Sequence, residues 1–174
     1  MSADELVDVV DENDRVLSQA TRCEVRGRNL RHRAVYILVF NQRGQLFVHR
    51  RTSTKDIFPG YWDVTVGGVV GAGEDYDAGA ARELHEELGV QSIGLRRLFP
   101  MRYEDPGNRV CGMVYSCTCE GGLTLQASEI VSGEWMDLDA LLERAQRAPF
   151  CPDGLEVLRL YLAKLDTARR AQPT

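Results

Sequence analysis

Residues 68–90 read GVVGAGEDYDAGAARELHEELGV, and this stretch decides how the rest of the 174-residue chain is read. Glu83, Glu86 and Glu87 stand at i, i+3 and i+4. On a helix that spacing puts three carboxylates on one face. Like charges so close repel, and no folding argument calls for them. A divalent cation turns the repulsion into binding, because Mg²⁺ and Mn²⁺ prefer carboxylate oxygens. Ala80, Ala81, Leu84 and Leu88 recur at helical spacing, with Asp77 placed as N-cap and Gly89 as the stop. The expectation is a metal-carrying helix over 78–88.

Upstream, WDVTVGG (62–68) reads as a strand ending in two glycines. AVYILVF (34–40) is apolar on both faces, as a buried central strand is. Asn41 to Gly44 forms a turn, and residues 45–51 return as a second strand, its hairpin partner. Further back, residues 5–16 read as a hairpin with turn chemistry at Glu12-Asn13-Asp14, and 18–28 allow a short helix ending near Gly27. Downstream, 97–101 and 110–119 read as strands around the turn 104–108. A short strand begins at Trp135, and a helix over 138–145 follows, capped by Asp137 or Asp139. A final amphipathic helix over 153–165 has Leu155, Leu158, Tyr161, Leu162 and Leu165 as its stripe. Mixed strands with one central and two terminal helices give an α/β (α+β) sandwich with a mixed sheet. The division expected is an N-terminal hairpin over 1–30 packed on a domain over 31–168, and a frayed tail over 169–174.

Composition bounds the function. Net charge is −5, which argues against general nucleic-acid binding. Five cysteines show no CxxC pair, and packing is their favoured role; Cys117 and Cys119 share a strand face. No signal peptide or membrane span is legible, so the expectation is a cytoplasmic protein with reduced thiols. Lys55 and Lys164 are the only lysines, so Lys55 near a charged site stands out.

The opening stretch fits G-x5-E-x7-R-E-U-x-E-E-x-G-U, U being bulky and aliphatic, at Gly68, Glu74, Arg82, Glu83, Leu84, Glu86, Glu87, Gly89 and Val90. This is the Nudix box, and the chain resembles a Nudix hydrolase over roughly residues 30–165. The resemblance implies a Nudix-type α/β/α sandwich and hydrolysis of a nucleoside diphosphate linked to another moiety X. It implies that Glu83, Glu86 and Glu87 hold Mg²⁺ or Mn²⁺, completed by the Gly67 carbonyl and by Glu129, and that a carboxylate takes the proton of the attacking water. Glu86, with Glu83, leads as catalytic residue. Gly68 is assigned the tight turn out of the strand, and Glu74 and Arg82 an ion pair that pins the loop.

A finer likeness, to the isopentenyl-diphosphate isomerase branch, rests on VDVVDEND (7–14), HRAVYILVFN (32–41), Arg50-Arg51, Lys55 and FPGYWDVTVGG (58–68). It points to Arg51 and Lys55 as diphosphate contacts. Gly67 and Val69 stand where the isomerase has its cysteine and histidine, and Gly107 and Arg109 where it has glutamates after a tyrosine, here Tyr103. Tyr103, Trp62 and Phe58 are candidates to stack on a base, although core packing is the commoner role. His32 is a lone histidine before a strand, with packing favoured over a ligand role. Two other functions compete with a pyrophosphohydrolase. One is a prenyl-diphosphate isomerase, decided by product analysis; the other is a ligand-binding module without turnover, decided by binding without product. The partner expected is a small-molecule diphosphate, with X chosen by loops 18–32, 49–61 and 102–109. Homodimerisation is what the resemblance implies, and the N-terminal hairpin is the candidate interface.

Overall fold

Strand β3 (His32–Phe40) is buried along almost its whole length because both of its faces carry a layer. Val35, Ile37 and Val39 point into one core, against Ala80, Leu84 and Leu88 of the box helix. Ala34, Tyr36 and Leu38 point into the other, against Leu141, Val157 and Leu158 of the terminal helices. The period-2 alternation of a strand divides one apolar run between two layers. The structure, a computed structural model, describes residues 3–91 and 94–170.

In chain order the elements are β1 (Leu6–Val10), β2 (Val16–Thr21), α1 (Arg22–Gly27), β3, β4 (Leu46–Arg51), β5 (Trp62–Asp63), α2 (Tyr76–Leu88), β6 (Arg96–Glu104), β7 (Arg109–Thr118), β8 (Ile130–Met136), α3 (Leu138–Ala145) and α4 (Pro152–Arg170). They build one mixed eight-stranded sheet. This is the α/β/α arrangement expected. β3 runs parallel to β7 in unbroken register from His32↔Val110 to Phe40↔Thr118, while β6 and β7 form an antiparallel hairpin. The N-terminal hairpin joins the same sheet through Val9↔His32. Cys117 and Cys119 share one core. Among the described residues no helix is long and apolar enough to cross a membrane.

Several local expectations change. β4 meets β3 at a single pair, Phe40↔Leu46, and then leaves it to run antiparallel to β8 from Leu46↔Met136 to Arg51↔Ile130. The predicted third strand over 62–68 is short: β5 is two residues long, and the following segment crosses β3 only at the bridges Val66↔Ile37 and Val69↔Ala34. β8 starts earlier than expected and ends at Met136. α4 opens at Pro152, one residue before the expected start, because the first turn needs no donor there. Its fully buried apolar contacts are Val157 and Leu158, with Leu155, Tyr161 and Leu162 packed at the margin. Arg169 and Arg170 are helical; the remainder of the expected tail, 171–174, lies outside the described residues.

Candidate active site

Gly67 is the pivot that aims the strand at the box helix. The Val66 amide donates to Ile37 O at 3.0 Å and the Val35 amide to Gly68 O at 2.9 Å, so the backbone stays locked to β3 on either side. Between those bonds Gly67 has φ +148°, and a Cβ there would lie 2.1 Å from Val35 O. Only glycine fits. The turn function expected of Gly68 therefore belongs to Gly67. Gly68 has a different duty: a Cβ on it would stand 2.8 Å from Glu83 Oε1. Its missing side chain leaves the space that the carboxylate fills.

Helix α2 begins at Tyr76, two residues before the sequence expectation. Asp75, not Asp77, is the N-cap, its carboxylate accepting from the Ala78 amide. Asp77 lies in the first turn and accepts from Tyr115 OH at 2.5 Å. Gly89 ends the helix in the left-handed conformation, φ 67°, and its amide donates to His85 O. The loop before the helix is held as expected by Glu74 and Arg82. Arg82 Nε and Nη2 donate to the two oxygens of Glu74, each at 2.9 Å, and the Gly71 amide donates to Glu74 Oε2. A two-pronged pair of this kind fixes direction as well as distance. The Arg82 guanidinium holds the Glu74 carboxyl below its usual range. Arg82 also donates to Glu83 Oε1 at 2.7 Å, to Val69 O at 3.1 Å and to Glu86 Oε2 at 3.4 Å.

The three box carboxylates are not equivalent. Glu83 and Glu87 are buried, at 6% and 2% exposure, and Glu86 is exposed. Burial pushes the Glu83 and Glu87 carboxyls up, against the pull of Arg82 on the first and Lys55 on the second. Among the described residues Glu87 Oε2 has no hydrogen-bond partner. Lys55 Nζ stands 3.8 Å from Glu87 Oε1 and is bonded to Glu129 Oε2. It thus ties α2 to the segment before β8, and the residue expected at the diphosphate faces carboxylates. Among the described residues no group of three His, Cys, Asp or Glu side chains is disposed to hold a metal ion as it stands. The cause is visible: Arg82 and Lys55 lie among the carboxylates, and Glu86 turns to solvent.

Beside these carboxylates opens a cleft that Gly67, Gly68, Arg51 and Lys55 line. Arg51 donates to Ile57 O at 3.2 Å and stands 3.7 Å from Asp63 Oδ2. The other expected contacts lie elsewhere. Tyr103 is not in the cleft wall; its hydroxyl donates to Asp105 Oδ2 at 2.7 Å. Trp62 lies under the Arg144 guanidinium, 3.8 Å from ring centroid to carbon, and Phe58 packs on Tyr61. His32 does line the cleft, fully buried, with Nδ1 2.9 Å from Leu30 O.

The cleft also contains side chains that sequence reasoning passed over: Arg22 and Arg26 of α1, Asp63, Asn108 and Asp153. Arg22 pairs with Asp56 at 2.8 Å, and Arg26 donates to Asn108 Oδ1 at 2.7 Å. Tyr36 OH donates to Asp153 Oδ2 at 3.1 Å. Burial, with Asp63 nearby, pushes the Asp153 carboxyl up. One signal was present: Arg22 and Arg26 are four apart on a short helix, hence on one face. The others converge from β5, the β6–β7 turn and α4, which no local pattern links.

The NUDIX domain family matches residues 30–160. An uncharacterised Nudix hydrolase of Pseudomonas aeruginosa is 46% identical over 158 residues, covering 91% of this chain and 94% of its own. A crystal structure from Deinococcus radiodurans superposes with a TM-score of 0.79 at 32% identity, covering 89% of this chain and 98% of that one. The NUDIX domain of Shewanella oneidensis NrtR, complexed with ADP ribose, superposes with a TM-score of 0.62 at 18% identity, covering 76% and 87%. At that identity the likeness is one of fold.

Proposed function

This chain belongs to the Nudix family and is a pyrophosphohydrolase, and we propose that it cleaves the diphosphate linkage of a nucleoside-diphosphate-X substrate with the help of a divalent cation. The observation that carries the proposal is the pair of buried carboxylates, Glu83 and Glu87, kept without full compensation. A fold gains nothing from burying Glu87 Oε2 with no partner. A cation-binding site does need such an oxygen, and the cradle at Gly68 gives the Glu83 carboxylate room beside it. The donor set, all oxygen, suits Mg²⁺ or Mn²⁺. Glu83, Glu86, Glu87, the Gly67 carbonyl and Glu129 are the residues assigned to hold it.

When bound, the cation neutralises pyrophosphate oxygens and lowers the pKa of a water molecule. The chain's own groups do the rest. Arg51 and Lys55 bind the diphosphate, Arg through its fork of donors and Lys as a point charge. For Lys55 this means exchanging a carboxylate partner for a phosphate one. Glu86 has one long contact, 3.4 Å from Arg82, and is the carboxylate assigned to accept the water's proton. Glu74 and Arg82 position the helix and do not touch substrate.

The finer likeness to the isomerase concerns scaffold. Allylic isomerisation needs a proton donor and acceptor on the substrate's carbon chain, and position 67 cannot carry a thiol with a Cβ 2.1 Å from Val35 O. Self-association is assigned to the free edge of β2, where Val16 and Leu17 are exposed. The test is a panel of nucleoside diphosphate derivatives incubated with Mg²⁺ or Mn²⁺. Phosphomonoester release that chelator abolishes supports the proposal; binding without release, or release untouched by chelator, contradicts it.

A further inference from the structure

Part of the cleft wall has a chemistry that the diphosphate does not need. His32 Nδ1 lies 2.9 Å from a carbonyl oxygen, Leu30 O, which can only accept; Nδ1 therefore carries the proton. The opposite ring nitrogen, Nε2, is buried and has no partner among the described residues. Burial and the neighbouring Arg26 cation keep the ring neutral, so Nε2 is an acceptor in want of a hydrogen. Among the described residues the buried Nε of Arg26 has no acceptor, nor has that of Arg51, which borders the diphosphate subsite. Asp153 completes the wall, and its Oδ2 already accepts from Tyr36 OH. His32, Arg26, Arg51 and Asp153 all line the same cleft. Guanidinium donors thus share one wall with acceptors of two kinds, an imidazole nitrogen and a carboxylate.

A second phosphate would meet the arginines but would set anionic oxygens against Asp153 and leave His32 Nε2 without a donor. An apolar group would leave His32 Nε2 and the Arg26 Nε unsatisfied. Hydroxyl groups fit both kinds of atom, because each one donates and accepts. We infer that this recess, walled by Arg26, His32, Asn108 and Asp153, is a hydroxyl-recognising subsite and that X is a sugar. The inference rests on the reading of the protein as a diphosphate hydrolase, and it narrows the substrates to sugar-bearing nucleoside diphosphates. Arg26 is a specificity-determining residue: its bond to Asn108 Oδ1 joins α1 to the β6–β7 turn and fixes the width of the recess.

The test compares three substrates of one nucleoside under Mg²⁺: the diphosphate sugar, the plain diphosphate and the triphosphate. Wild type is expected to favour the sugar compound by tenfold or more in kcat/KM. In Arg26→Met that preference is expected to fall at least tenfold, through KM rather than kcat. His32→Leu carries the same expectation and guards against one variant that fails to fold. Equal loss on all three substrates, or a wild-type preference for the triphosphate, overturns the inference. If wild type turns over none of them, the hydrolase reading has failed. Calorimetry of the diphosphate sugar in chelator then decides the subsite alone. Binding that Arg26→Met weakens tenfold supports it, and absent or unaltered binding overturns it.

Discussion

Replacing Glu87 by Gln is expected to stabilise the fold in chelator while removing hydrolysis. Glu87 is 2% exposed, and one carboxylate oxygen has no partner among the described residues. Burial pushes its carboxyl from the ordinary 4.5 up to about 8; Lys55 opposes the shift and Glu83 adds to it. The sign follows from linkage. A carboxyl whose folded value is raised is bound to its proton more firmly in the native state, so ionisation works against folding. The penalty is absent below the unfolded value of 4.5, grows as pH rises, and is complete above about 8. At about 1.4 kcal/mol per pH unit its ceiling at neutral pH is on the order of 3 kcal/mol. The variant weakens the Lys55 pairing and returns up to about 1 kcal/mol of that. A net gain of roughly 2 kcal/mol corresponds to a rise in Tm of about 4–8 °C for a domain of this size. The assay is thermal unfolding in chelator at several pH values, repeated with Mg²⁺. The gap between variant and wild type should widen from acid to neutral pH. Mg²⁺ should raise the Tm of wild type and leave the variant nearly unmoved. A variant that melts below wild type at neutral pH in chelator, or a gap of the same size at acid pH, would refute the reasoning.

Two further outcomes follow from the geometry. Gly67→Ala should destabilise the fold by about 3 kcal/mol or more in urea titrations, because its Cβ would meet Val35 O at 2.1 Å at φ +148°. Gly68→Ala meets only the movable end of Glu83 and should cost far less stability, showing its effect in hydrolysis instead. Acid should destabilise the fold through His32 and His49, both buried and both held down to about 4, mainly by burial. The unfolded chain binds these two protons first, so stability falls as pH drops from about 6.5 to about 4, by on the order of 3 kcal/mol for each ring. Urea titrations across that range should show His49→Leu gaining on wild type by on the order of 3 kcal/mol as the pH falls, whatever the buried carboxyls add to both; a difference that does not change with pH would count against the assignment.

What was legible in the sequence is what local pattern dictates. β3 announced itself by an apolar run too long to be half exposed, α4 by its apolar stripe, and α2 by the box. The Glu74–Arg82 pair also came through, since both ends belong to one motif. The misses share a cause, which is competition between equivalent local choices. Asp75 and Asp77 are both acceptable caps, and Tyr115, far off in the chain, settled the matter by engaging Asp77. β4 has a pattern that suits any antiparallel neighbour, and the partner proved to be β8. Gly67 and Gly68 are adjacent and identical, yet one is required by the carbonyl of Val35 and the other by the carboxylate of Glu83. The recess is the extreme case, since Arg26, Asn108 and Asp153 meet only after the sheet has closed.

The most direct test of the central claim is ³¹P NMR of the reaction run with Mg²⁺ in ¹⁸O-enriched water, on whichever diphosphate derivative the wild type turns over best. Wild type should convert the two coupled diphosphate resonances into two phosphomonoester resonances, one of them shifted by a single ¹⁸O. Folded Glu83→Gln should do so at least a hundredfold more slowly, in keeping with loss of a direct metal ligand. Products without ¹⁸O at phosphorus, or a Glu83→Gln rate within a few fold of wild type, would contradict hydrolysis at these carboxylates.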